Sequence, residues 1–285
     1  MKKKIISNLA ASLKAKLLSI SKRDNKDFNK ILLRYFQERF LYRLSVSEYK
    51  NNFILKGGLL LILVNIPTSR VTVDIDFLAA KVKNDLENIK DIFSKISSIE
   101  VQDGIVFNSS EITAERIEKD SRYEGVRVKI QGHLGTVKQI LQIDLGFGDV
   151  IFPKKSDIEF PSLLLESKSR LKGYPLETVI AEKFEAMVKL GMLSSRMKDF
   201  YDAYILLNSQ NFNKSVLREA IKRTFNNRKT QLQEEPLIFT SEFYNDKSKQ
   251  IQWEAFLRKN KLTDVPEDFK DIVLAIKEFL AAARA

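Results

Sequence analysis

The chain has no cysteine, a single histidine (His133), and only ten glycines and six prolines among 285 residues. The lack of cysteine excludes disulfides, thiolate zinc sites and cysteine nucleophiles, and it suits a reducing cytoplasm. No run of eighteen apolar residues occurs, so the sequence predicts no membrane-spanning helix. We predict that His133 is an ordinary surface residue in a turn, since a catalytic histidine needs oriented partners. Any bound metal ion must therefore be held by oxygen ligands.

Two carboxylates are close together in the segment Arg70-Val-Thr-Val-Asp74-Ile-Asp76-Phe77. We predict a strand here, on which alternation turns Asp74 and Asp76 to one face, about 7 Å apart along the chain. The opposite face should be buried. A divalent ion such as Mg²⁺ binds through one or two carboxylates and shares its remaining sites with water and substrate phosphates. The residues predicted for the buried face are Val71, Val73, Ile75 and Phe77.

A pair of glycines, Gly57 and Gly58, precedes this strand, after the predicted short strand that begins at Phe53. Glycines between a strand and a helix permit close approach of a ligand to the backbone and direct helix amides at an anion. Gly-Gly also occurs in ordinary turns, and Asp-x-Asp also occurs on solvated strand faces. The combination of the two motifs is the stronger signal for phosphate chemistry.

A third candidate carboxylate, Asp144, lies in a predicted β-hairpin. The hairpin runs from Arg122 to Ile130, turns through Gly132 to Gly135, and returns from Val137 to Leu145. Asp144 should project from the face opposite the apolar residues of its strand. The alternative is an ordinary aspartate at a strand end beside a Gly-x-Gly turn.

A third cluster occurs on two predicted helices near residues 175–204. Lys183 lies at the edge of the apolar stripe of the first helix, and Asp199 and Asp202 project together from the second. The alternative is a solvated helix on which Lys198 and Asp202 form an i,i+4 ion pair worth a few tenths of a kcal/mol.

These motifs together resemble those of the AbiEii/AbiGii toxin family of nucleotidyltransferases, distant relatives of the DNA polymerase β-like superfamily. The similar features are the Gly-Gly turn, the Asp-x-Asp strand, Ala181-Glu-Lys183, and Arg196-x-Lys-Asp-x-x-Asp202, and the similarity extends over approximately Phe53 to Lys259. The resemblance implies an α+β fold, with a nucleotidyltransferase-like mixed β-sheet flanked by helices and a helical C-terminal domain.

The resemblance also implies roles for individual residues in the transfer of a nucleoside monophosphate from an NTP to an acceptor hydroxyl. Three acidic residues would bind Mg²⁺, or alternatively Mn²⁺, and one of them, Asp144, would also help deprotonate the acceptor. Backbone amides would cradle the triphosphate, and two cationic residues would offset its charge. One downstream aspartate would be catalytic, and the sequence does not decide which. The metal ligands are Asp74, Asp76 and Asp144; the nucleotide-binding residues are Gly57, Gly58, Arg70 and Lys183; the downstream aspartates are Asp199 and Asp202.

Leu59 departs from the family pattern, because many members have serine or threonine after the glycine pair. The missing hydroxyl removes one hydrogen bond to a phosphate, which is commonly worth about 0.5 to 1.5 kcal/mol. Two alternatives to a transferase therefore stay open. One is a non-catalytic nucleic-acid-binding module of the same fold, and the other is a two-metal nuclease.

Positive charge is concentrated in residues 1–50, which hold 13 Lys and Arg against four Asp and Glu, a net charge of +9. We predict two helices here, Lys3 to Ile20 and Asp27 to Leu44, packed on the body through a stripe that includes Leu9 and Leu13. A basic module beside an acidic metal site suits a polyanionic substrate such as RNA. The resemblance implies a toxin of a toxin–antitoxin or phage-defence system, with the 3′ end of tRNA as acceptor and an antitoxin encoded nearby.

The distribution of glycine and of helical periodicity divides the chain into three predicted parts. Residues 1–50 form the basic N-terminal helices, and residues 51–173 form the nucleotidyltransferase-like core. Residues 174–285 form a helical domain that contributes to the active site. In that domain, Trp253 and Phe256 are predicted to be core residues.

Overall fold

The computed structural model describes residues 2–64, 72–120, 123–165 and 167–284. The chain divides into two units. The first consists of Met1–Val64, Thr72–Gly148 and Ser156–Gly173, and most of the second consists of Asp149–Lys155 and Tyr174–Ala285. Within the described ranges, no helix is both long and apolar enough to cross a bilayer.

The first unit has a mixed β-sheet, which confirms the α+β prediction. In the residues described, the sheet has eight strands in the order β3-β5-β6-β2-β1-β8-β7, and β4 also pairs with β5. Strand β2 runs parallel to β6 and β1 runs parallel to β8, whereas the other pairs are antiparallel. The strands are β1 (Phe53–Lys56), β2 (Asp74–Ala79), β3 (Ile105–Phe107), β4 (Thr113–Asp120), β5 (Tyr123–Leu134), β6 (Val137–Phe147), β7 (Ser156–Phe160) and β8 (Ser169–Gly173); the helices are α1 (Lys2–Arg23), α2 (Phe28–Val46), α3 (Gly57–Leu60) and α4 (Leu86–Ser97).

The predicted hairpin is confirmed as β5 and β6, with a shorter turn than expected. Leu134 pairs with Val137, so the turn contains only Gly135 and Thr136. The φ of Gly135 is +60°, a left-handed conformation that glycine adopts without steric cost. Gly132 lies inside the strand instead, where a Cβ atom would come within 2.8 Å of the Phe36 ring.

One face of the sheet is apolar and is covered by α2 and α4. Leu55, Phe77, Leu145 and Val126 are aligned across β1, β2, β6 and β5, and all four are fully buried. Phe53 packs edge-on against Phe77 and against a phenylalanine of α4. The hydrophobic effect therefore decides which face of each strand turns inward.

Two details of the apolar pattern differ from the sequence prediction. Val73 is 59% exposed, because β2 begins only at Asp74, and Val71 lies outside the described residues. On α1, Leu13 is buried as predicted, but Leu9 is 36% exposed. The predicted apolar stripe of α1 is therefore wrong at Leu9, and the adjacent Ala10 is buried in its place.

A buried ion cluster ties α2 to the segment before β3. Asp103 is fully buried and accepts hydrogen bonds from Arg39 Nε at 3.0 Å and from Arg43 Nη1 at 2.6 Å. The five N–H groups of Arg43 all have acceptors, including the carbonyl oxygens of Ile99 and Ile105. Arg39 and Arg43 therefore belong to the core, although they contribute to the positive charge of residues 1–50.

The second unit is helical, as predicted. Trp253 is fully buried, donates a hydrogen bond to the carbonyl of Pro266, and stacks on half-buried Phe256. The core prediction is therefore confirmed for Trp253, and Phe256 lies at its edge. The helices are α5 (Leu176–Leu190), α6 (Met197–Ser209), α7 (Lys214–Asn227), α8 (Ser241–Tyr244), α9 (Lys247–Asn260) and α10 (Phe269–Arg284).

Glu38 on α2 is a buried acid whose ionisation affects the stability of the first unit. It is 1% exposed and accepts hydrogen bonds from Ser162 Oγ at 2.7 Å and from the Leu163 amide at 2.9 Å. Burial raises the pKa of Glu38 from 4.5 to about 7, although both hydrogen bonds and the charge of Arg34 oppose the rise.

We predict that Glu38→Gln changes how stability depends on pH. Between pH 4.5 and 7 the unfolded chain has lost the Glu38 proton and the folded chain keeps it, so stability falls as pH rises. The wild type should therefore lose about 3 kcal/mol relative to the variant between pH 4.5 and pH 8. Urea unfolding followed by circular dichroism measures this difference, and a difference that does not vary with pH would contradict the assignment.

Candidate active site

Four charged side chains are aligned across the face of the sheet opposite the apolar face. Lys56 pairs with Asp76, Asp76 pairs with Asp144, and Asp144 pairs with Arg127, on β1, β2, β6 and β5 in turn. Residues paired across adjacent strands project from the same face. Two of the predicted metal ligands are thus on neighbouring strands, with a cationic residue on either side.

A second aligned row lies two residues away on the same face. Asp74 pairs with Gln142, and Gln142 pairs with Lys129. Gln142 Nε2 donates a hydrogen bond to Asp74 Oδ1 at 2.7 Å, and Lys129 forms an ion pair with Glu115 at 3.0 Å. The structure therefore places Asp74, Asp76 and Asp144 on one face, in two adjacent rows.

Arg127 binds Asp144 through two hydrogen bonds. Its Nε donates to Oδ1 at 2.9 Å and its Nη2 donates to Oδ2 at 3.0 Å. The Asp144 side chain is 6% exposed, whereas that of Arg127 is 31% exposed. This hydrogen bonding raises the pKa of Arg127. Both oxygens of the predicted third ligand are therefore bound by a fixed cation.

Gly57 lies directly against Asp76, one of the candidate metal ligands. Its φ is +67°, and a Cβ atom added there would collide with the carboxylate of Asp76. Only glycine combines this conformation with this close approach. Leu59, which departs from the family pattern, is buried at 1% exposure. Its side chain therefore serves packing.

Four residues that support this site were not predicted as site residues from the sequence. Gln37 on α2 is 1% exposed and donates hydrogen bonds to the carbonyls of Thr72 and Val73, immediately before β2. For Arg127, the signal in the sequence was its alternation with the buried valines of β5. The four residues are Gln37, Lys56, Arg127 and Gln142.

The donor set of this face fits Mg²⁺. In the described part of the chain, no three His, Cys, Asp or Glu side chains form a complete metal-binding group. A magnesium ion bound with a nucleotide needs only one or two carboxylates, since phosphate and water oxygens supply the other ligands. Asp74 and Asp76 meet that requirement. Asp144 could join them only by sharing or giving up its bonds to Arg127.

The second unit brings together Lys183, Asp199 and Asp202. Lys183 Nζ donates hydrogen bonds to Asp199 Oδ1 at 2.8 Å and to Asp202 Oδ2 at 2.7 Å, and both aspartates are 2% exposed. Burial disfavours the charge of Asp199, but Lys183 and Arg196 outweigh it and hold its pKa at about 2. The alternative of a solvated helix face with a Lys198–Asp202 pair is therefore wrong.

Another ionic cluster in the second unit surrounds Arg228. The guanidinium lies 3.0 Å from Asp149, 3.3 Å from Glu182 and 2.8 Å from Glu185. Asp149, which follows the Gly-x-Gly segment, is therefore held by Arg228 in an ion pair. Sequence spacing gave no signal for Arg228, which lies 79 residues from Asp149.

Arg70 and His133 are two other residues for which the sequence gave a prediction. Arg70, a predicted nucleotide-binding residue, lies outside the residues that the structure describes. His133 lies within β5 and not in a turn, and its Nε2 is 3.0 Å from Gln131 Nε2.

We predict that Lys183→Met destabilises the second unit by about 3 kcal/mol, because two buried carboxylates lose their shared cation. Urea unfolding followed by the fluorescence of Trp253, the single tryptophan, reports on this unit. Lys189→Met, on the last turn of the same helix, is the control and should cost less than about 1 kcal/mol. Equal losses for the two variants would contradict a structural role for the cluster.

Comparisons with known proteins identify the family of the chain. The sequence model of the AbiEii nucleotidyl transferase toxins, from type IV toxin–antitoxin systems, matches residues 39–275. No protein of curated function matches the chain.

Two solved structures from Helicobacter pylori share the fold. One is of a protein proposed to be a nucleotidyltransferase, with a TM-score of 0.50 and 15% identity over 90% of this chain and 96% of that one. The other is JHP933, with a TM-score of 0.50 and 16% identity over 88% and 91% of the two chains. The family match covers most of the sequence and confirms the resemblance found in its motifs. The chain therefore belongs to the AbiEii family of nucleotidyl transferase toxins.

Proposed function

We propose that this nucleotidyltransferase moves a nucleoside monophosphate from an NTP to a hydroxyl of RNA, with the 3′ end of tRNA as the acceptor. The acceptor oxygen bonds to the α-phosphorus, the bond to the β-phosphate bridging oxygen breaks, and pyrophosphate leaves. The hydroxyl proton passes to a carboxylate. The observation that carries the proposal is the in-register row of Lys56, Asp76, Asp144 and Arg127 beside Gly57.

The three carboxylates of this face and the two glycines have different roles in the proposed reaction. Asp74 and Asp76 would hold Mg²⁺, which when bound neutralises phosphate charge and activates the attacking hydroxyl. Asp144 would accept the proton of the acceptor. Gly57 and Gly58 would bind the triphosphate through backbone N–H groups. A cofactor of Mn²⁺ in place of Mg²⁺ requires the same oxygen ligands.

As the family resemblance implies, Lys183 would offset phosphate charge. The two aspartates that surround it would have a different role. Asp199 and Asp202 both bind Lys183 Nζ and are almost completely buried. We therefore assign them as positioning residues that hold the ammonium group and keep it charged. Burial opposes that charge, but the two aspartates raise the pKa of Lys183 above its ordinary value.

The choice of RNA rests on the exposed lysines of the N-terminal helices. Arg39 and Arg43 are buried and cannot bind a polyanion from solution. The lysines remain exposed and would neutralise phosphates along a backbone without reading its sequence. A neighbouring antitoxin would oppose the activity in the cell. The exposed lysines are Lys14, Lys16, Lys22, Lys26 and Lys30.

Incubation of the purified protein with each α-labelled NTP, Mg²⁺ and total tRNA tests the proposal. Label in the tRNA band supports transfer to RNA, and label in protein or in a small molecule identifies a different acceptor. Shortened RNA would indicate a nuclease, and retention of RNA without chemistry would indicate a binding module. Either of these last two results contradicts the proposed function.

We predict that Asp76→Ala lowers the transfer rate at least about a hundredfold, because a metal ligand contributes several kcal/mol to the transition state. Asp157→Ala, at an 84% exposed aspartate of the same sheet, is the control and should keep the wild-type rate. The two rates are measured with the labelled NTP that the wild type incorporates. Wild-type activity in the Asp76 variant would exclude this carboxylate from the chemistry.

We predict that Gly57→Ala lowers the transfer rate because the new Cβ displaces Asp76, and not because of backbone strain. Gly57 and Gly135 both have positive φ, so alanine at either position should cost about 1 kcal/mol of stability. At Gly57 the new Cβ would also displace Asp76, whereas at Gly135 it would lie 3.4 Å from the Ala10 Cβ. Transfer rates should fall at least about tenfold for Gly57→Ala alone. Similar rates in the two variants would show that the close approach to Asp76 is unimportant.

A further inference from the structure

Arg127 is hydrogen-bonded to Asp144, the carboxylate that we propose as the proton acceptor, and this position suggests a function beyond structure. Its side chain donates two hydrogen bonds to Asp144, and nearly a third of that side chain is exposed. Its neighbours on β5, Val126 and Val128, are fully buried on the other face. The guanidinium can therefore leave Asp144 without disturbing the core.

We propose that Arg127 competes with the divalent ion for Asp144 and, once displaced, binds a phosphate of the NTP. This inference rests on the function proposed above and assigns a further nucleotide-binding residue to that site.

The competition follows from the chemistry of the carboxylate. Both oxygens of Asp144 accept a hydrogen bond from Arg127, which occupies the lone pairs that a metal ion or an acceptor proton would use most directly. With no ion bound, the guanidinium offsets the repulsion between Asp144 and its in-register neighbour Asp76. A divalent ion supplies that compensation with twice the charge, so the ion and Arg127 compete for the same carboxylate oxygens.

The released guanidinium can then bind the triphosphate of an incoming NTP. Its planar fork binds phosphate oxygens through two N–H groups, a geometry that a lysine cannot reproduce. Lys129 lies two residues along β5 on the same face, but it is paired with Glu115 at 3.0 Å. Arg127 and Lys129 thus have the same charge and lie on the same strand, but Arg127 is bonded to Asp144 and Lys129 is paired with Glu115.

The two halves of the proposal predict opposite effects of Arg127→Met. Binding of Mn²⁺ alone, measured by electron paramagnetic resonance, should tighten at least about threefold, as expected for loss of a partly exposed competing ion pair. Binding of a non-hydrolysable NTP at saturating Mn²⁺, measured by calorimetry, should weaken at least about fivefold. Both measurements require only binding, so neither depends on turnover.

Lys129→Met is the matched control and should change either affinity less than twofold, which separates the Asp144 contact from a general loss of positive charge. In Asp144→Asn, a second substitution of Arg127 by Met should no longer tighten Mn²⁺ binding. Circular dichroism verifies that each variant is folded.

Three outcomes would overturn the inference. Mn²⁺ binding that is unchanged or weaker in folded Arg127→Met excludes the competition, while leaving the proposed function intact. Tighter Mn²⁺ binding with unchanged NTP affinity excludes the exchange to phosphate. A complete lack of Asp76-dependent Mn²⁺ binding, in both the wild type and Arg127→Met, overturns the inference together with the metal site proposed above.

Discussion

The register between β2 and its two neighbours is the constraint on which the candidate site depends. In this register Leu55, Phe77 and Leu145 align on the buried face, and one residue away Lys56, Asp76 and Asp144 align on the other. A slip of one residue in any strand would bury charges and expose apolar side chains. The burial of the apolar face thus fixes how the carboxylates on the opposite face are arranged.

Helix α2, which supports the sheet, also combines apolar packing with specific polar contacts. Helix α2 uses Phe36 and Phe40 for packing, and it uses Gln37 to hold the backbone that enters β2. Its two buried arginines fix the segment before β3 through Asp103. Positive charge near the N-terminus therefore falls into two groups. Arg39 and Arg43 satisfy a buried aspartate, and the exposed lysines are the ones that we propose to bind a polyanion.

Much of the candidate site was predictable because it depends on local periodicity. Alternation placed Asp74 with Asp76, and helical spacing placed Asp199 with Asp202. The partners of these groups were not predictable, since strand order is a long-range property. Nothing near Asp144 in sequence indicates that Arg127 binds it.

The errors of sequence interpretation arose where local rules of spacing did not match the strand boundary or the tertiary contacts. The predicted apolar stripe included Val73, but the strand begins one residue later and leaves that side chain exposed. A Lys198–Asp202 pair satisfied the spacing rule for helices, yet Lys183 of the preceding helix binds the same carboxylate in a buried cluster. Tertiary contacts replaced the local ion pair because a buried carboxylate requires a nearby, well-oriented cation.

The most direct test of the account is a crystal structure of the protein with Mn²⁺ and a non-hydrolysable NTP. The account predicts an anomalous scattering peak about 2.0–2.4 Å from carboxylate oxygens of Asp74 or Asp76, with the triphosphate beside Gly57. Ordered nucleotide bound elsewhere, with no metal on this face of the sheet, would contradict it.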